Sequence, residues 1–97
     1  MIKPISNQEQ AEIPAFTNYA DAILWFKDRY GLNFVFVDSV LSDTEEILYY
    51  YHLVLDRETY DQETKKLKRA GASPSIRLMR SFQNIEIHEN GNVRIAH

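Results

Sequence analysis

Asn84-Ile85-Glu86-Ile87-His88-Glu89-Asn90-Gly91-Asn92-Val93-Arg94-Ile95-Ala96-His97 consists of two alternating runs around Asn-Gly, the strongest short-range signal for a β-hairpin. Side-chain chemistry selects the loop. A two-residue turn at Asn90-Gly91 would oppose Ile87 to Arg94 and Glu86 to Ile95, mixing polar and apolar groups on both faces. A three-residue loop, Glu89-Asn90-Gly91, instead pairs Ile85 with Ile95, Ile87 with Val93 and Glu86 with Arg94. A one-residue slip turns every side chain over, so the consistent register is expected, with Gly91 in the left-handed position of a bulge.

Working back from this hairpin, Asp56 caps an expected helix over residues 57–70. Its early turns carry Glu58, Asp61 and Glu63 and its last turns Lys65, Lys66, Lys68 and Arg69, an order that complements the helix dipole. Gly71 suits its exit. Its apolar stripe (Tyr60, Thr64, Leu67, Ala70) is thin. Ser73 to Phe82 fits a short helix, with Pro74 at its first position, better than a strand.

Asn33–Leu41 and Glu46–Leu55 read as strands joined by the turn chemistry of Ser42-Asp43-Thr44-Glu45. So short a connection joins antiparallel neighbours. In-phase pairing sets Val35, Val37 and Leu41 against Leu53, Tyr51 and Ile47, the expected core face. It sets Phe34, Phe36, Asp38 and Val40 against Val54, His52, Tyr50 and Leu48 on the other. Upstream, Tyr19, Ile23, Phe26 and Tyr30 form one helical stripe over about residues 18–30, capped by Thr17 or Asn18 and left at Gly31. Residues 1–12 are polar and read as a mobile arm before a single domain over 13–97. The fold class is α+β, in the order α-β-β-α-(short α or β)-β-β, with an antiparallel sheet and helices mainly on one face.

Composition limits the function classes. The chain has 97 residues, no cysteine and a net charge of −3, which excludes disulfides, thiolate metal sites and a cysteine nucleophile. No apolar run approaches a membrane span or a signal peptide, so the expectation is a cytoplasmic protein without a membrane partner. Charge is uneven: residues 1–56 carry −6 and residues 57–97 carry +3. His52, His88 and His97 stand apart, and Asp43, Glu45 and Glu46 lack a calcium-loop pattern. No metal or cofactor is expected.

Three readings of function follow, in order. The first is a small non-catalytic interaction or regulatory domain that binds protein, itself included. Phe34, Phe36, Asp38, Leu48, Tyr50, His52 and Val54 would share one sheet face too apolar for water, buried by a symmetric homodimer. The second is a nucleic-acid accessory protein using the basic stretch 65–80: Lys65, Lys66, Lys68, Arg69, Arg77 and Arg80. The third is an enzyme built on Asp38, Tyr50 and His52, an orienter-and-base arrangement with no nucleophile beside it.

Overall fold

The computed structural model describes residues 2–70 and 73–97. Its elements are α1 (Asn7–Ala11), α2 (Tyr19–Tyr30), a 3-10 turn (Gly31–Asn33), β1 (Phe34–Leu41), β2 (Ile47–Val54), α3 (Arg57–Ala70), α4 (Ile76–Arg80), β3 (Phe82–His88) and β4 (Val93–Ile95). The four strands form one antiparallel sheet in the order β1-β2-β3-β4. Among the described residues no helix is long and apolar enough to cross a membrane.

The C-terminal hairpin has the expected register: Ile85 faces Ile95, Glu86 faces Arg94 and Ile87 faces Val93. Gly91 sits at φ 94°. Asn18 caps α2 by accepting the Asp21 backbone N–H at 2.9 Å, and Gly31 ends the helix at φ 56°. The Thr59 N–H donates to Asp56 Oδ1 at the start of α3. The expected exit at Gly71 lies outside the described residues. The Ser73–Phe82 segment is a short helix followed by a strand. Ser75 caps α4, its Oγ accepting the Leu78 N–H at 3.1 Å. Pro74 therefore precedes the cap and is not the first helical residue.

The β1–β2 register departs from the in-phase expectation. Asp38, Ser39, Val40 and Leu41 do face Tyr50, Tyr49, Leu48 and Ile47, but Phe34, Val35 and Phe36 face Leu53, His52 and Tyr51. The ladder slips by one between Phe36 and Asp38, leaving Val37 as the extra residue of a β-bulge. The slip turns Phe34 and Phe36 onto the face of Tyr51 and Leu53, and moves Val35 off it.

That face is the core. Phe26, Phe34 and Tyr51 form a stacked column with ring centroids 5.0 and 4.1 Å apart, and Phe36 meets the Tyr51 ring edge-on. Leu53, Ile85, Ile87, Ile95 and Ala22 complete the buried cluster. Offset and edge contacts of this kind add to simple area burial. Residues 2–12, part of the stretch expected to be a mobile arm, meet this face at Ile5. Ile5 is buried in the cluster. Its backbone N–H donates to Gln83 Oε1 at 2.8 Å, while Gln83 Nε2 donates to the Ile5 and Ala96 carbonyls. Gln83 thus ties both ends of the chain to β3.

Candidate functional site

Asp38, Tyr50 and His52 were the residues expected to combine chemically. Asp38 is indeed opposite Tyr50, but its Oδ1 accepts the N–H of its own neighbour Ser39 at 2.8 Å. The His52 ring is engaged away from Asp38. It stacks on Phe82 at 3.6 Å, and Nδ1 shares a 3.0 Å hydrogen bond with the Tyr60 hydroxyl of α3. Burial lowers its pKa to about 4 and raises that of Tyr60, so both are neutral near pH 7. Among the described residues no hydrogen bond links Asp38 to His52. His52 docks the thin helix α3 on the sheet, the one place where Tyr60 from its apolar stripe meets two aromatic partners.

The seven residues assigned to one partner face are divided by the bulge. Phe34 and Val54 are buried in the domain itself. Phe36 points to the α2 side. Leu48, Tyr50 and His52 are half-buried on the other side with Asp38 at its margin. The division has a plain cause: Phe34-Val35-Phe36-Val37 is apolar at every position, so alternation carries no phase there.

An apolar strip that no one face had indicated replaces it. β1 is an edge strand of the sheet, and Phe36, Val37, Val40 and Leu41 are 53, 46, 44 and 66% exposed. The Ser42 N–H donates to the Glu46 carbonyl at 2.8 Å. Since hydrogen-bonded and non-bonded pairs alternate, Ser39 and Leu41 direct their backbone groups outward. Asp38 covers the outward N–H of Ser39. Alternation in the sequence could not reveal this edge, because being an edge depends on strand order.

A second polar cluster lies on the open side of β2–β3. Glu86 Oε2 is 3.3 Å from His88 Nε2 and 3.7 Å from Arg94 Nη1, and Glu46 Oε1 is 3.3 Å from His88 Nδ1. A hydrogen bond to Glu86, and secondarily burial, raises the Tyr50 pKa. The two carboxylates bracket the imidazole from opposite nitrogens and do not converge on a common point. Among the described residues no group of three or more acidic, histidine or cysteine side chains is arranged to hold a metal ion. The pairing of Glu86 with Arg94 was legible from the hairpin register. The approach of Glu46 was not.

The six cations of the basic stretch, Lys65, Lys66, Lys68, Arg69, Arg77 and Arg80, are all exposed, on two helices that pack together. Glu63, buried between them, accepts from Ser75 Oγ at 2.9 Å and pairs with Lys66 at 3.1 Å. These contacts, Lys66 foremost, hold its carboxyl below the usual range. Ile76 and Met79, 68 and 60% exposed, stand among the arginines of α4. No protein-family model matches the chain, and comparison with curated proteins and with solved structures finds no match either.

Proposed function

We propose that this domain is a small non-catalytic interaction module that associates with itself through β1. One observation carries the reading: an eight-residue edge strand with four large apolar side chains exposed along it. Edge strands are normally blunted by lysine, proline, a bulge or a covering segment. β1 carries the bulge at Val37, which hinders strand addition, but no lysine, arginine or proline beside its exposed apolar side chains. No catalytic role is assigned to Asp38, Tyr50 and His52, since the histidine is engaged in helix docking.

Sedimentation across a concentration series tests the reading. Self-association should appear at micromolar concentrations and should be lost in Leu41→Lys and Val40→Lys, with melting temperatures close to that of the unmodified protein because both side chains face water. A monomer at every concentration would end it. The second reading, contact with nucleic acid through residues 65–80, is supported by the exposure of all six cations on adjoining helices. It requires RNA or DNA binding that weakens with salt and in Lys66→Ala or Arg69→Ala.

A further inference from the structure

The two ends of the sheet carry surfaces that complement each other. At the tip of the β1–β2 hairpin, exposed Val40 and Leu41 are flanked by exposed Asp38, Asp43 and Glu45. On α4, exposed Ile76 and Met79 are flanked by exposed Arg77 and Arg80, and α3, which packs against α4, carries exposed Lys66 and Arg69. One end offers apolar groups rimmed by acids, the other apolar groups rimmed by bases.

The register places these surfaces far apart within one copy. Leu41 pairs with Ile47 at the tip, whereas α4 leads into Phe82, which pairs with Val54 at the opposite end of β2. The strand between them spans roughly 24 Å at about 3.4 Å per residue. They can meet only between copies.

Both surfaces are preorganised, which lowers the ordering cost of binding. At the tip, the Glu45 N–H donates to the Ser42 carbonyl at 3.0 Å and the Glu46 N–H to Ser42 Oγ at 3.2 Å. α4 is anchored by buried Leu78 and by Ser75 Oγ donating to Glu63. Symmetric pairing of two β1 edges is less favoured: it would gather acids of the same sign, and it would compete with Asp38 for the Ser39 N–H.

We infer that self-association is head to tail, the hairpin tip of one copy seating on α4 and the adjoining end of α3 of the next. This rests on the interaction reading above and specifies its second surface. Such a heterologous contact builds a ring or an open chain and does not stop at a symmetric dimer. Exposed Ile76 and Met79 favour a protein partner here over a phosphate backbone, which would engage the cations alone.

Sedimentation velocity with complementary variants is the test. Leu41→Lys removes the tip and leaves α4. Ile76→Glu, with Arg80→Glu as a second variant, removes the α4 surface and leaves the tip. Each alone should self-associate about tenfold more weakly or worse, and the unmodified protein should weaken as NaCl rises from about 0.1 to about 0.5 M. An equimolar mixture of Leu41→Lys with Ile76→Glu should regain one interface and form a species of two copies and no larger. If both α4 variants associate like the unmodified protein while Leu41→Lys does not, the head-to-tail inference falls and the β1 reading stands. A mixture that stays monomeric also overturns the inference. RNA binding lost in Arg80→Glu, with self-association intact, would assign the cations to nucleic acid instead. A monomeric unmodified protein removes both.

Discussion

At Gly91 a φ of 94° strains any L side chain, and a Cβ there would stand 2.6 Å from the Phe16 carbonyl oxygen and 2.9 Å from the Asn18 nitrogen. The hairpin tip is held where the chain enters α2, with the Tyr19 N–H donating to the Glu89 carbonyl at 3.2 Å. Left-handed strain alone costs about 1–2 kcal/mol, and the crowded atoms are backbone, which cannot swing aside. Gly91→Ala should therefore destabilise by about 2–4 kcal/mol once overpacking is added, measured as a lower denaturant midpoint at unchanged slope. The need for a left-handed residue is written locally in Glu89-Asn90-Gly91. The crowding depends on residues more than seventy positions away, and no local pattern encodes it. Glu45 is similar: the turn was legible, but not that a non-glycine residue would hold φ 62° within it.

For the elements, α3 shows how a helix with few apolar residues is held. Tyr60 bonds His52, and both rings meet Phe82. Between about pH 6.5 and 4 the unfolded chain binds a proton on His52 that the folded chain refuses, because burial has lowered the folded pKa to about 4. More protons on the unfolded state means that stability rises with pH across this window and falls on acidification. At about 1.4 kcal/mol per unit, reduced by solvent screening of a ring that is only half-buried, the loss is on the order of 1–2 kcal/mol. His52→Gln should flatten the pH dependence of the denaturant midpoint over that range. Helix boundaries and caps were readable because capping chemistry is local. The first half of β1 was not, since four successive apolar residues fit either phase. Only the column from Phe26 through Phe34 to Tyr51 decides it.

On the scale of the whole molecule, alternation and capping chemistry indicated an α+β domain with an antiparallel sheet, but not the order in which strands lie. The strand order leaves β1 on an edge and thereby creates the candidate surface. The charge asymmetry was visible as a division along the chain, with its acidic half before Arg57. Folding converts it into a difference between the β1–β2 hairpin tip and α4, because β1 runs to the tip and β2 back from it, while β3 begins at the opposite end. The burial of Ile5 was not legible for a related reason. Its polar partner is the side-chain amide of Gln83, and a buried glutamine has no periodic signature.

The bulge has a consequence best expressed in terms of insertion and deletion. β1 holds one residue more than the ladder requires. Excising Val37 would leave Phe36 opposite Tyr51 and Asp38 opposite Tyr50 as consecutive pairs, so no other side chain would change face. Almost any other single deletion in a strand turns the rest of it over. The shortened chain should fold with stability within about 1 kcal/mol of the original, in the range of a tolerated surface change. It should also present a straighter edge, less protected against adding another strand. Light scattering during thermal unfolding and refolding should then rise above that of the full-length chain, which identifies Val37 as a spare residue that keeps the sheet from growing.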